Sequence, residues 1–461
     1  MRFFFFLLIF AIQAEAQERA SVEKALQESI CFLQNAQESE DSEVASKGEW
    51  PSLMSNEQWT PFLGPKGKSA IDFNNFTTAS VAVILGEANQ VLPDPKIPLM
   101  LKQAGNALTT YEENDQFYFW KKLDKTKALK RKTLFKNKRN EQVRRPTTFE
   151  LKSKFINNLA NIPADTDDTA LSFLAYKYIN NQGGEPVYIP PASPEKVFTN
   201  FRDLNRQNAH FMNVLDETQS EKGAYLTWLK KEKMFSPWMW IPSGRKENIT
   251  FGTNDVDCVV NSNILTTLTE FNQTDSEGYK AACDHINQMF LEKKSKVCGI
   301  YYPSPHNLHY SAAKAYHHGA RCLGPSMNVI LDELKVGQKE DGSFPSDLKD
   351  DDAHNTLYAL NALLLIGNED LNQTKSMIEK SMKYVLSQKK SENGCSHWQG
   401  GAFFSGGTII RKSLIWRSDA YTTALATQAF SHYLKKRNDL QEITQPNLDL
   451  SQINSCIDGP K

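Results

Sequence analysis

An all-α fold, a single (α/α)6 barrel (toroid) with six inner helices wrapped by six outer ones, is predicted by three features of this 461-residue sequence. A turn signature recurs along the chain. The helices that follow it are apolar on nearly every side, as buried helices are. Strand signals are almost absent. Internal repetition is the most informative of the three, because it fixes the architecture before any single element is assigned. The signature is a helix ending in Gln, then a turn carrying Gly-x-aromatic. It runs from Phe32-Leu33 to Gln37 with Gly48-Glu49-Trp50, from Leu215 to Gln219 with Gly223-Ala224-Tyr225, and from Leu334 to Gln338 with Gly342-Ser343-Phe344. Leu386 to Gln388, with Gly394 and Trp398, is a looser copy. The Gln and the aromatic are expected to lock one helix end to the next.

In chain order, residues 1–16 come first: Met1-Arg2, an apolar run from Phe3 to Ile12, then Ala14-Glu15-Ala16. A positive start, a short apolar stretch and an A-x-A step describe a secretory signal cut before Gln17. The run is shorter than the roughly 20 residues that span a bilayer. Beyond it no run of 18 or more residues is apolar, so no transmembrane segment is predicted, and the destination is extracellular, periplasmic or the ER lumen. The toroid occupies 17–445 and a tail 446–461. Inner helices are expected at Asp72–Leu85, Asp165–Tyr178, Asp255–Phe271, His306–Ala320, Asp350–Leu365 and Asp419–Tyr433. Amphipathic outer helices are expected around 22–37, 195–219, 276–293, 325–338 and 372–388. Asp or Asn at the inner starts suits an N-cap, whose side chain accepts otherwise unpaired backbone N–H groups.

Insertions near 111–147 and 226–254 interrupt the register. Within 121–145 lie twelve basic side chains against two acidic ones, a solvated basic segment or an anion-binding flap. The second insertion carries Trp228, Trp238 and Trp240 and reads as a lid over the barrel mouth. Charge is balanced overall, 53 basic against 54 acidic residues, so no nucleic-acid partner is expected. Seven cysteines in an exported chain favour some disulfide pairing, and the odd count leaves at least one unpaired or intermolecular. Sequons stand at Asn75, Asn248, Asn272 and Asn372.

If all inner helices start at one rim, their first residues converge on one mouth. That set includes Asp72 and Asn74; Asp165, Asp167 and Asp168; Asp255, Asp257 and Asn261; His306 and His309; Asp350, Asp351, Asp352 and His354; and Arg417, Asp419 and Tyr421. Capping accounts for one acid per helix, not for three within 165–168. Crowded carboxyls cannot all ionise, so one stays protonated and can serve as a general acid toward an alkene or a glycosidic oxygen. Trp240, Trp398, Phe403 and Tyr421 are candidates to stabilise a cation through their ring faces.

Asp165-Thr166-Asp167-Asp168-Thr169-Ala170 resembles the D-x-D-D-T-A motif of class II terpene cyclases, including squalene–hopene cyclases. The Gln…Gly-x-aromatic turns likewise resemble the QW repeats of that superfamily. The resemblance implies that Asp167 donates the proton that starts isoprenoid cyclisation, with Asp165 and Asp168 supporting it. A His that hydrogen-bonds the acid has no matching motif; His306, His309 and His354 are candidates by mouth position. The implied ligand is a small hydrophobic or isoprenoid molecule, and no cofactor or metal is expected. Protein prenyltransferase β subunits share the toroid, but beside Asp257-Cys258 and Asp350–His354 their Asp–x–Cys spacing is missing. Two alternatives remain. An exported glycoside hydrolase or lyase would pair Asp167 with Asp257 or Asp351. A transcobalamin-like secreted carrier would hold a small hydrophobic ligand without catalysis.

Overall fold

The computed structural model describes residues 2–59, 65–123, 144, 146–149, 162–204, 222–229, 254–367, 371–406 and 413–444. Its helices in chain order are α1 (Arg2–Ala36), α2 (Asn75–Val91), α3 (Ile97–Leu108), α4 (Thr166–Asn180), the single turn α5 (Glu195–Phe198), α6 (Cys258–Glu270), α7 (Glu277–Leu291), the short α8 (Ser295–Cys298), α9 (Pro305–His317), α10 (Gly324–Gly337), α11 (Asp352–Ile366), α12 (Leu371–Ser387) and α13 (Asp419–Thr444). Six of them close a ring: α2 packs on α4, α4 on α6, α6 on α9, α9 on α11, α11 on α13, and α13 back on α2. Outside it, α1 lies on α13, α3 on α2 and α4, α7 on α6, α10 on α7, α9 and α11, and α12 on α11. The molecule is a helical toroid.

Apolar and small residues all round explain the inner layer. Every residue of α2 from Asn75 to Ala88 is buried, and so is α4 from Thr166 to Ile179 apart from Lys177. Helices with no polar face satisfy themselves only with neighbours on all sides. α2 and α4 approach closely at Gly86, where any Cβ would strike the Tyr178 side chain.

Inner helices begin within three residues of expectation. Asn74 caps α2 through Thr77 N (2.8 Å), Asp165 caps α4 through Asp168 N (2.6 Å), and Asp257 caps α6 through Val259 N (2.7 Å). Only Glu195–Phe198 of the predicted 195–219 helix is helical among the described residues, and α3 has no counterpart among the predicted helices.

At Gln37 and Trp50 the turn lock takes the expected form in full, and parts of it recur. Among the described residues the Gln388 side chain donates only to its neighbour Ser387, and Gln219 lies outside the described residues. Gln37 Nε2 donates to the Gly48 and Met100 carbonyls (3.0 and 2.9 Å), and Trp50 Nε1 to Leu33 O (2.8 Å). Gln338 Nε2 repeats this at Met377 O (2.8 Å), and Trp398 Nε1 at Val385 O (2.7 Å). Gly342 sits at φ +89°, and a Cβ there would meet the Lys380 carbonyl. Gly342→Ala is therefore expected to destabilise the chain by about 1–3 kcal/mol, the scale of local backbone strain, as read from denaturant midpoints; an unchanged midpoint would show that the turn yields.

Strands correct the expectation of an almost strand-free chain. β1 (Ser52–Asn56), β2 (Ser69–Asp72), β3 (Glu112–Glu113), β4 (Gln116–Phe117), β5 (Lys390–Glu392), β6 (Cys395–His397), β7 (Ala402–Ser405) and β8 (Leu414–Arg417) are short, and β2-β1-β8-β7 form an antiparallel sheet. Met54 pairs with Trp416 and Leu53 with Arg417, so the sheet ties the start of the ring to its end. Four or five residues are too few to show a period of two, and the partners are far apart in sequence.

Disulfides join Cys31 to Cys395, Cys258 to Cys298 and Cys283 to Cys322. Cys456 lies outside the described residues, as do Asn248, Trp238, Trp240 and most of 121–145. Of that basic segment, Lys121 pairs with Glu49 (2.7 Å) and Arg144 with Glu113 (2.8 Å). α1 runs unbroken through the predicted cut before Gln17. No helix among the described residues is long and apolar enough to cross a membrane.

Candidate functional site

The three acids of the motif are buried at the N-terminal start of α4. Asp165 holds the cap position, which turns Asp167 and Asp168 into the ring. They line a cavity of about 20 Å³ together with Phe76, Phe119, Ile162, Thr227, Trp228, Val260, Tyr301, Tyr302 and Phe404. Six of these walls are aromatic. Below it is a second cavity of similar size, between Phe76, Ser80, Ile84, Leu171, Val259, Asn263, Tyr302, Asn307, Tyr310, Ser311, Lys314 and Tyr421. Phe76 and Tyr302 belong to both and form the partition, their rings 6.1 Å apart.

Each acid has a different environment. Asp167 accepts from the Tyr302 hydroxyl on Oδ2 and from Asn263 Nδ2 on Oδ1 (2.8 Å). Burial pushes its carboxyl up to about 6, against the pull of those two donors. Asp168 Oδ1 accepts from Asn75 Nδ2 (3.1 Å), and its Oδ2 is buried without a fixed donor among the described residues. Burial raises Asp168 to about 7. Asp165 is driven well above the usual carboxylate range by burial and then by the neighbouring charge of Asp168. Asp165 Oδ1 accepts from the Asp168 backbone N–H, and burial and then the charge of Asp168 disfavour ionising Asp165, so the pair retains a proton between them. The site thus stores protons on carboxyls in an aromatic enclosure.

Other expected residues fall elsewhere. His306 is buried, but its Nδ1 meets His309 Nδ1 (3.0 Å) and its ring lies against Phe344; His309 goes on to Glu333 of α10 (2.7 Å). These two face the outer layer, which corrects their placement at the acid. A polar residue at a helix start need not face the mouth, because successive helical residues point about 100° apart. His354 sits between α11 and α13, its Nδ1 on Thr422 Oγ1 (2.8 Å), pushed by burial down to about 3, and it lines neither cavity.

Asp257 is consumed by backbone: it accepts from Val259 N (2.7 Å), Val260 N (3.2 Å), Ile300 N (2.5 Å) and Tyr301 N (3.2 Å). Asp351 pairs with Arg417 Nε (3.3 Å) and accepts from Ala402 N (3.0 Å). Asp419 is exposed and accepts from Gly400 N (2.6 Å). Asp350 and Asp352 border an open surface groove apart from the acids. Trp398 packs on Phe430 as part of a turn lock, not in the pocket. Phe403 stacks on Phe76 (5.5 Å) and lies 5.1 Å from Tyr421, so those two aromatics do flank the interior. The sequon at Asn75 is not a glycan acceptor in the folded chain, since its amide is buried on Asp168 and Ser172.

Cys258, His285 and Cys298 are the metal-capable cluster among the described residues, but the disulfide uses both sulfurs. Sequence reasoning misses Tyr302, Asn263, Asn75 and the walls Phe76, Phe119, Tyr301 and Phe404, and it reads Trp228 only as part of a lid. Tyr301, Tyr302, Asn75 and Phe76 stand near an inner-helix start, whereas Phe119 and Phe404 carry no such sequence signal.

No protein-family model and no curated protein sequence matches this chain. Solved structures do. The type II terpene cyclase MstE from Scytonema, as a variant bound to its substrate geranylgeranyl dihydroxybenzoate, superimposes with a TM-score of 0.55 at 12% identity, covering 91% of this chain and 99% of that one. A second MstE variant, with the product merosterolic acid A, gives 0.56 at 13% identity over the same shares. A protein from Actinoplanes gives 0.51 at 11% identity, covering 90% and 99%. The chain therefore has the terpene cyclase-like helical toroid fold.

Proposed function

We propose that this chain is a class II terpene cyclase-like enzyme on a single (α/α)6 barrel, with Asp167 protonating an isoprenoid alkene. The observation that carries the reading is the burial of three crowded carboxyls, each pushed above its ordinary range, at the end of a cavity walled by six aromatic rings. Alkene protonation needs a strong acid and a surrounding that tolerates the cation. Tyr302 and Asn263 supply the first requirement, because their hydrogen bonds hold the carboxylate left after the proton departs. The ring faces supply the second, at about 0.5–2 kcal/mol each for a desolvated cation. The Asp165–Asp168 pair holds a further proton beside Asp167. A carbohydrate-cleaving site would be an open groove with two facing acids, and the acids here are enclosed.

Both cavities are only large enough for a water molecule or two, so a chain-like ligand has to displace the Phe76–Tyr302 partition. Three disulfides support an oxidising, extracytoplasmic destination for the same enzyme.

Protonation followed by loss of another proton is an isomerisation. Incubation with a C20 polyene substrate in heavy water should therefore give a cyclised product one mass unit heavier than that formed in ordinary water. A product without deuterium, or no product from any prenyl chain, would refute the reading. Asp167 works protonated, so turnover should fall as pH rises through about 6. Tyr302→Phe removes a hydrogen bond that favours the carboxylate. The falling limb should move to higher pH while the maximal rate drops, as measured by a pH–rate profile.

A further inference from the structure

We propose that Asp72 is a positioning residue for the acid cavity: it holds the rings of Trp120 and Trp416 by their indole N–H groups and sets a negative charge behind the cavity's aromatic wall. This deepens the cyclase-like reading and rests on it. Asp72 is buried at the end of β2, where the chain turns into α2. Its Oδ2 accepts from Trp416 Nε1 (2.8 Å) and Asn74 Nδ2 (2.9 Å), and its Oδ1 from Trp120 Nε1 (3.1 Å). Capping α2 is left to Asn74, whose Oδ1 accepts from Thr77 N, so the Asp72 carboxyl is not spent on the helix end. The two indoles come from remote parts of the chain, 48 and 344 residues away.

Both indoles back the cavity. Trp120 lies edge-on to Phe119 (4.8 Å) and Trp416 to Phe404 (5.2 Å), and Phe119 stacks on Phe404 (5.2 Å). Phe119 and Phe404 are walls of the cavity that Asp167 and Asp168 line. The same knot reaches the acids, because Asn75 N donates to the Phe119 carbonyl (3.0 Å) and Asn75 Nδ2 to Asp168 Oδ1 (3.1 Å). A carboxylate that accepts an indole N–H pushes electron density into the ring, and hydrogen-bonded groups polarise one another where water is excluded. The wall then attracts a carbocation more strongly, while the carboxylate stays too far back to capture it. Burial lifts this carboxyl to about 6, against the pull of its three donors. Among the charges around it, Glu49 adds to the lift but is itself paired with Lys121 (2.7 Å). Arg417, next to Trp416 on β8, turns to Glu57 (2.5 Å) and Asp351 (3.3 Å), Arg144 turns to Glu113 (2.8 Å), and Asp168 stands beyond Asn75.

Asp72 works ionised and Asp167 works protonated, and both turn near pH 6, so turnover of a C20 polyene by the full chain should peak narrowly around that pH. Asp72→Asn should lower the maximal rate roughly tenfold or more and flatten the rising limb, leaving the fall in place. Trp416→Phe keeps a ring there but removes one donor to the carboxylate. It should move the rising limb to higher pH without moving the fall, and it decides the matter if Asp72→Asn does not fold. A rising limb that Asp72→Asn retains, or that Trp416→Phe leaves unmoved, would overturn the role. The contact can also be read without substrate. Tryptophan emission of the native chain should titrate near pH 6, and the change should be markedly smaller in Asp72→Asn, where Trp228 beside Asp167 is left to report. An equal titration in both chains, or none in either, would overturn the role and leave the cyclase-like reading standing. If the emission titrates as expected and no prenyl chain is turned over, the cyclase-like reading falls and the role at the cavity falls with it.

Discussion

Asp167→Asn is expected to lower turnover of an isoprenoid alkene by about 10²–10⁴-fold, the usual worth of a positioned general acid. Ligand affinity should stay within a factor of a few. The substitution keeps the volume of the side chain and removes only the transferable proton. The amide oxygen introduced there can still accept from Tyr302, and Asn263 can turn its own amide to meet the new one, so neither neighbour is stranded. A loss of kcat with unchanged ligand titration separates an enzyme from a carrier of the same ligand. Undiminished turnover would remove Asp167 from the mechanism and pass the role to the proton shared by Asp165 and Asp168.

Glu87→Ala carries the largest expected effect on stability, about 3–5 kcal/mol, because it leaves Lys314 buried with no carboxylate. The pair is deep inside the ring, where replacing both partners is cheaper than removing one. The same network sets a pH window. Burial alone would raise the Glu87 carboxyl, but Lys314 and His318 bring it down to about 2. Its contribution is present above the ordinary carboxylate range and is lost as pH falls through about 2. His318 runs the opposite way: its contribution is complete below its ordinary value and is lost as pH rises through about 9. In the stability difference between the native chain and Glu87→Ala, read by chemical denaturation, the other buried acids and histidines cancel. That difference should therefore be largest and flat between roughly pH 4.5 and 6.5, the two ordinary values. In Glu87→Ala stability within that window should be lower and the acid-side slope shallower. A variant as stable as the native chain at about pH 6, inside that window, would show that Lys314 finds water or another anion.

Asp165, Asp167 and Asp168 were legible as chemistry because their crowding exceeds what capping one helix can use, and crowding is a property of neighbours in sequence. The inner helices were legible for a related reason. Residues such as 75–88 and 166–179 carry no polar stripe, and such a helix has to be surrounded. His306 and Asp257 went the other way. Both stand at inner-helix starts, yet one turns outward onto Phe344 and the other is tied to four backbone N–H groups. Spacing placed them at the right height on the ring without fixing the rotation of each helix about its axis.

What the sequence determined by itself was the set of local features: a helical repeat, turn glycines and the Gln and Trp that lock them, and an acid-rich helix start. Each is written within a few residues, because helix periodicity and turn geometry act over that range. Only the tertiary structure decided which acid carries which proton. Asp167 gets its donors from Asn263 and Tyr302, 96 and 135 residues away, and Asp168 gets Asn75 from 93 residues back. Pairing of β1 with β8, the aromatic walls and the Lys314–Glu87 pair have the same origin. Such contacts depend on how whole helices dock and rotate against one another, and burial acts on carboxyl protonation only after that docking has removed the water.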